Sequence, residues 1–496
     1  MRPFFLYHHQ QPSPHVNHLG YEEELKKHIE QERAAVKLQS KVGELLYDQG
    51  IELVLFRHHL VDITISEILN LHEYAGRVVH KPIDVFSTAM LAEALSSLNL
   101  RPAKLDIGKL ANEWISSNQQ TTATAFLKEK LAGFDQGEHA KFDPRDVILY
   151  GFGRIGRLAA RELIRQAGKG QQLRLRAIVT RGNTDKDILK RASLLSNDSV
   201  HGAFKGTVNV DLEKKCLIIN GQVVQMIEAS APEETDYTAY GIQNALVIDN
   251  TGIYTTREAL SRHLAAKGVS RVLLTAPGKE IPNIVFGINQ NTLNLEEERI
   301  YSAASCTTNA ISPILKVIED QLGIVKGHIE TVHAYTNDQN LLDNMHKKVR
   351  RGRSAAINMV ITSTGAGNAV TKVIPSLQDK LTANAVRVPT PNGSLAILSL
   401  ELAKETSLEE INGLIKAAAL NGELVNQIFY SFDPELVSSD IIGNTCCSVY
   451  DSNATIVSKN GKNVVLYTWY DNEFGYTKQV IRLAKYISKV RRAIYY

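Results

Sequence analysis

One junction constrains this chain more than any other feature. The apolar run Asp146-Val-Ile-Leu-Tyr150 passes directly into Gly151-Phe-Gly153-Arg-Ile-Gly156. A short apolar run without alternation reads as a strand buried on both faces, and residues 154–166 after it read as a helix. At this spacing Gly151 permits the tight turn, Gly153 lets a pyrophosphate approach the backbone, and Gly156 lets helix and strand pack closely. The helix start at Arg154 and Ile155 offers free N–H groups and a positive dipole end. The junction therefore points to dinucleotide binding rather than to a purely structural glycine turn. Runs 173–180, 245–249 and 272–275 read as further buried strands, with a helix over 256–267, and this alternation predicts a doubly wound parallel sheet. Thr251, Gly252 and Thr275 fall at strand C-terminal ends, where ligands bind in such sheets.

The 496 residues exceed one compact unit, and charge and histidine usage divide them near residue 143. The first 143 carry 15 Lys+Arg against 19 Asp+Glu, a net −4, and ten of the 15 His; the remainder carries +7. Helical periodicity over 21–47, 66–79, 84–98, 107–117 and 124–131 predicts an all-α N-terminal domain, with Ser66 capping the second helix. His8, His9, His15 and His18 lack a supporting ligand pattern, so no metal site is assigned there. A net charge of +3 gives no broad field, which implies neither nucleic acid nor an anionic membrane. The run Phe4-Phe5-Leu6-Tyr7 is short for a secretory segment, and no apolar stretch approaches the ~20 residues that span a bilayer. Four Cys, at 216, 306, 446 and 447, form neither a disulfide framework nor zinc spacing, and a reducing, cytoplasmic setting is expected.

An acidic residue at the end of the second strand would bind a ribose 2′-hydroxyl. Val179-Thr-Arg181-Gly182 stands there instead, with Asp185 nearby. Arg181 suits a 2′-phosphate, so NADP or dual use is favoured over strict NAD use.

Ala304-Ser-Cys306-Thr-Thr-Asn309 begins a predicted helix, where the dipole and free N–H groups stabilise a thiolate. Position alone leaves a reactive and a buried structural cysteine equally open. The segments Ser305-Cys-Thr-Thr-Asn309, Thr331-Val-His-Ala-Tyr-Thr-Asn-Asp338, Arg387-Val-Pro-Thr-Pro391 and Trp469-Tyr-Asp-Asn-Glu-Phe-Gly-Tyr476 together resemble phosphorylating glyceraldehyde-3-phosphate dehydrogenase. The resemblance runs from about residue 146 to the end.

It implies a Rossmann-type cofactor domain over 144–305, completed by 471–496, and an α+β catalytic domain over 306–470. It implies that Cys306 attacks an aldehyde and that His333 is the base. Thr336 and Arg387 match the substrate phosphate site. Ser305, Thr307, Thr364 and Gly365 match the site for inorganic phosphate. Asn472 matches the nicotinamide carboxamide contact and Tyr476 the same pocket, beside Gly151, Gly153, Arg154, Ile155, Gly156, Arg181, Thr251, Gly252 and Thr275 on the cofactor side. The substrates implied are glyceraldehyde 3-phosphate and inorganic phosphate, the assembly a homotetramer. The basic run Lys347–Arg353 matches a loop beside the cofactor and reads mainly as solvated charge. Asn344-Met345 and the residues before Asp198-Ser-Val-His-Gly202 depart from NAD-specific members. The alternatives are oxidation of erythrose 4-phosphate and a non-catalytic regulatory protein on the same fold, since a fold does not establish a function. Residues 1–143 read as a docking or oligomer-contact domain or a passive one.

Overall fold

The computed structural model describes residues 20–77, 79–135 and 143–496; His8, His9, His15 and His18 lie outside them. The chain divides into two units, one of Pro144–Ala167 and Gln172–Lys489, the other of residues 2–143, Gly168–Gln171 and Val490–Tyr496.

In the larger unit, eight strands form the first sheet in the order Ile300–Ser302, Val269–Leu274, Ala245–Asp249, Arg145–Tyr150, Leu173–Thr180, Gln222–Glu228, Cys216–Ile219, Val208–Asp211. The first six are parallel and the last two run antiparallel to their neighbours. Ala245–Asp249 is buried throughout, as a parallel strand covered on both faces must be. Arg145–Tyr150 sits where the strand order reverses, so its C-terminal end opens into the crevice that binds ligands in such sheets.

The second sheet runs Val360–Thr362, Leu381–Val388, Ile324–Ala334, Ser394–Leu402, Asn463–Tyr470, Ser448–Asp451, Ile428–Ser431, with Ile456–Val457 beside Asn463–Tyr470. Helices Cys306–Gln321, Ala366–Val373 and Leu408–Leu420 cover it through a core that includes Ile311, Ile314, Val370, Ile411, Ile415, Leu398 and Leu466. Helix Phe474–Ile487 returns to the first sheet, packing on Arg154–Arg165, and Lys478 there pairs with Glu162, both side chains nearly fully buried. Tyr476, on the first turn of that helix, reaches the Ala304 carbonyl just past the end of strand Ile300–Ser302.

The smaller unit corrects the all-helical expectation. Helices Tyr21–Glu44, Ile65–Arg77, Val85–Ser96, Ile107–Ser116 and Ala123–Lys130 are present. They accompany a four-stranded sheet in the order His58–His59, Glu52–Leu55, Ala103–Asp106, Ala493–Tyr495. Strands of four residues or fewer carry too little periodicity to separate from helix ends, and the last is supplied from the far end of the chain, so the last seven residues belong here rather than to the cofactor domain. Asp106 ties the sheet together: its carboxylate accepts from the Phe56, Gly108 and Lys109 amides at 2.8, 3.0 and 3.1 Å, joining a hairpin turn to a helix start. Ser66 does not cap the second helix. Thr64 does: its hydroxyl accepts from the Glu67 amide (3.2 Å), and the Glu67 carboxylate accepts from the Thr64 amide (2.6 Å).

Candidate active site

Each glycine of the Gly151–Gly156 loop meets a different constraint. Gly151 has φ +92°, a left-handed backbone, and a Cβ there would lie 3.0 Å from Thr251. A Cβ on Gly156 would lie 2.4 Å from the Gly151 carbonyl oxygen. A Cβ on Gly153 would meet nothing within 4 Å. Gly153 precedes helix Arg154–Arg165 with no side chain capping it, which leaves the first N–H groups open towards an anion. Ile155 is half-buried on that first turn. Arg154 contributes its backbone there, while its guanidinium is held elsewhere, on Glu473 Oε2 at 2.6 Å and Asp198 Oδ1 at 3.0 Å.

Beside the loop lies a cavity of about 210 Å³, lined among others by Tyr150, Thr180, Arg181, Ser230, Thr251 and Tyr254. Arg181 is exposed at its edge, and no Asp or Glu lines it. Asp185 is instead the first residue of helix Asp185–Ser196, capped by a Thr184–Asp187 box. Thr251 is fixed by Asp249 Oδ1, which accepts from its amide (2.8 Å) and hydroxyl (2.7 Å), and Asp249 Oδ2 lies 2.9 Å from His263 Nε2 in full burial. Gly252 follows with φ +65°, and the Thr275 hydroxyl donates to the Asp249 carbonyl at 3.0 Å.

Cys306 is the first residue of helix Cys306–Gln321, behind Ser305, whose hydroxyl caps the Thr308 amide at 3.0 Å. Asn309 donates to the Ala303 and Ser305 carbonyls at 2.8 and 2.9 Å. Ala304 takes φ +55°, a conformation L side chains rarely adopt, and Tyr476 donates to its carbonyl at 2.9 Å. The Tyr476 hydroxyl thus holds the turn that presents the cysteine.

His333 and Arg387 are register partners on the parallel strands Ile324–Ala334 and Leu381–Val388, so their side chains share a face. His333 Nε2 lies 3.5 Å from Cys306 Sγ. His333 Nδ1 lies 2.6 Å from the Ala334 carbonyl and 2.8 Å from Arg387 Nη1. Arginine only donates and a carbonyl only accepts, so Nδ1 serves one of them. The shorter contact assigns the proton to Nδ1, donating to Ala334, and leaves the Nε2 lone pair towards the thiol. Arg387 Nη1 then donates to the same carbonyl at 2.9 Å.

Burial pushes the Cys306 thiol up, against the pull of Arg387 and nearby hydroxyl and amide donors. Burial and then Arg387 press His333 down to about 3. Burial thus favours the uncharged form of both groups.

Anion-binding groups surround this pair. Arg387 Nε is buried without a partner, an orphan donor that fits a phosphate oxygen. Its Nη1 lies 3.5 Å from Thr336 Oγ1, and Thr336 donates to Asp338. Asp338 is also held by Arg351 Nη1 at 2.5 Å, and Arg351 Nε donates to Thr362 at 3.1 Å. The Arg351 side chain is only 11% exposed, so this member of the basic run is no solvated charge. Thr307 and Thr331 are bridged by the Tyr470 hydroxyl at 3.1 and 2.7 Å. Thr364 accepts from the Ala366 amide at 3.2 Å, and Gly365 precedes helix Ala366–Val373 without a side-chain cap and with open space around it. Asn472 accepts at Oδ1 from Ser394 (2.9 Å), which turns its two N–H groups towards other partners.

Sequence reasoning passed over Arg351, Asp338 and Tyr470, although all three lie inside segments it singled out. A side chain's partner across a sheet is not written in its neighbours.

Residues 145–257 match the NAD binding domain of glyceraldehyde 3-phosphate dehydrogenase, and 305–472 match that enzyme's C-terminal domain. A glyceraldehyde-3-phosphate dehydrogenase-like protein of Pseudomonas aeruginosa is 47% identical over 448 residues, 89% of this chain and 96% of the relative. An aligned length of that size reaches into the first 143 residues. Glyceraldehyde-3-phosphate dehydrogenases of Geobacillus stearothermophilus and Bacillus subtilis are 42% and 40% identical over 69% of this chain and 98% of each relative. The chain belongs to the glyceraldehyde-3-phosphate dehydrogenase family, whose oxidoreductase chemistry uses a nicotinamide cofactor.

Proposed function

We propose that this chain oxidises glyceraldehyde 3-phosphate to an acyl phosphate, reversibly, through Cys306 with His333 as base. The observation that carries the reading is the 3.5 Å approach of Cys306 Sγ to His333 Nε2, at a helix start flanked by Arg387. The thiol proton passes to His333 Nε2 as sulfur bonds to the aldehyde carbon, and Nε2 returns that proton to the resulting oxyanion, which gives a hemithioacetal and frees Nε2 again. His333 Nε2 then takes the hydroxyl proton as the carbon gives up a hydride and becomes a thioester carbonyl. A phosphate oxygen attacks that carbonyl, the C–S bond breaks, and the cysteine is restored. When bound, the nicotinamide supplies the hydride acceptor.

In this reading the Gly151–Gly156 loop and the amides of Arg154 and Ile155 hold the pyrophosphate. Asn472 donates to the carboxamide, with the Tyr476 ring, Thr251, Gly252 and Thr275 beside it. Arg387, Thr336 and Arg351 hold the substrate phosphate; Ser305, Thr307, Thr364 and Gly365 receive inorganic phosphate. Arg181, exposed beside a cavity without acidic lining, supports NADP or dual use. The assembly is proposed as a homotetramer.

The test is reduction of cofactor by glyceraldehyde 3-phosphate with and without inorganic phosphate. Phosphate-dependent turnover is expected, lost by at least ~10³-fold in Cys306→Ser, on the scale of removing a nucleophile. Turnover independent of phosphate favours the erythrose 4-phosphate alternative, and a Cys306→Ser enzyme near the wild-type rate removes the mechanism.

A further inference from the structure

Among the described residues, helix Tyr21–Glu44 packs through one side. Ala34, Ala35, Leu38 and Val42 bury its second half against helices Val85–Ser96 and Ile65–Arg77. Its first turns, Tyr21 to Glu30, are exposed at every position. A stripe of large apolar residues nevertheless runs along it: Tyr21, Leu25, Ile29 and Val36 are 78%, 40%, 39% and 54% exposed. At about 3.6 residues per turn these four and Gly43 fall within roughly an 80° sector, shared with Glu32 and Gln39, which starts about 40° from Ala35 at the edge of the buried face and turns away from it. Scattered surface apolar residues need no explanation, but an aligned stripe along a helix marks an interaction surface.

The charges say what kind of partner fits. Residues 21–32 carry five Glu, at 22, 23, 24, 30 and 32, against Lys26 and Lys27. Residues 33–44 carry Arg33, Lys37 and Lys41 against Glu44 alone. One end of the helix is acidic and the other basic, so the surface is complementary to itself when reversed. We propose that the stripe docks on the same helix of a second copy of this chain, antiparallel, about a twofold axis. The twofold sets each acidic end on the partner's basic end, and the helix dipoles oppose favourably. Centred near residue 34, the pairing brings Leu25 of one copy onto Gly43 of the other, a large side chain against a bare backbone.

Cysteine cross-linking of the full chain tests this. Leu25 and Gly43 are about 27 Å apart along one helix at about 1.5 Å per residue, so a disulfide between cysteines placed there joins two copies. The Leu25→Cys/Gly43→Cys variant is expected to give a dimer band on a non-reducing gel. Neither single variant gives it, and adding Ile29→Glu and Val36→Glu to the pair removes it by at least tenfold. Retained dehydrogenase activity in each variant shows that the protein is intact. No dimer in the double variant, or an equal yield from Leu25→Cys alone, overturns the proposal. A dimer that forms only after residues 1–19 are deleted also overturns it, since the chain's own first residues then occupy the stripe.

Discussion

Glu52 is a buried carboxylate whose partners come from three places in the sequence. His59 Nδ1 lies 2.8 Å and Lys104 Nζ 3.2 Å from its Oε1, and Arg492 Nη1 lies 3.0 Å from its Oε2. Glu52 and Arg492 are each 6% exposed. Burial opposes ionisation, yet Lys104, His59 and Arg492 together hold the carboxyl well below its usual range. Arg492→Met keeps most of the side-chain volume and removes one of the three partners. Breaking a buried pair this way costs roughly 3–5 kcal/mol, and because Oε1 keeps two partners the lower end, about 3 kcal/mol, applies. For a unit of roughly 150 residues, each kcal/mol lowers the midpoint by about 2–4 °C, so a fall of roughly 6–12 °C is expected. The two tryptophans make the assay selective. Trp114 is buried in this unit and Trp469 lies in the other, so a Trp469→Phe background leaves Trp114 fluorescence to report on the smaller unit. Glu52→Gln added to Arg492→Met should recover part of the loss, because the uncompensated charge is gone. A folded-state carboxyl held below its unfolded value stabilises above that value and loses its contribution as pH falls. The wild-type and Arg492→Met midpoints should therefore differ fully at pH 7 and converge in acid below about 4.5. A midpoint shift under ~1 °C at pH 7, or a double variant as weak as the sum of the singles, refutes this reasoning.

Three further outcomes follow from the site. With His333 pressed down to about 3 and the Cys306 thiol pushed up, kcat/KM should climb about tenfold per pH unit between roughly pH 7 and 8.5 as the thiol ionises, with no loss from histidine protonation above pH 5; a plateau beginning at pH 6 contradicts it. Arg181→Ala should raise the KM for NADP roughly tenfold and leave that for NAD within about twofold, on the scale of one charge-assisted contact; equal changes remove Arg181 from cofactor choice. Tyr470→Phe should lower stability by about 1–2 kcal/mol in denaturant titration, because the buried Thr307 and Thr331 hydroxyls lose their shared partner, and an unchanged midpoint shows that they repair it between themselves.

What the chain alone determined is local. The strand, glycine turn and helix at Arg145–Arg165 follow from a few adjacent residues, because a left-handed turn and a close helix approach each demand glycine at one position. The cysteine's place at a helix start is equally local: Ser305 caps a segment whose periodicity is visible. The tertiary structure decided whatever depends on partners distant in the chain. Arg154 looked like part of the cofactor loop, but Glu473, 319 residues away, takes its guanidinium. Arg351 looked solvated until Asp338 and Thr362 closed on it. The smaller unit looked all-helical because its sheet is made of very short strands, one of them contributed by Ala493–Tyr495, and Arg492 beside that strand meets Glu52 across 440 residues. Periodicity records which face of an element is apolar; it carries no record of which distant charge will be buried against it, and that pairing settled both the reactive centre's surroundings and the sheet of the smaller unit.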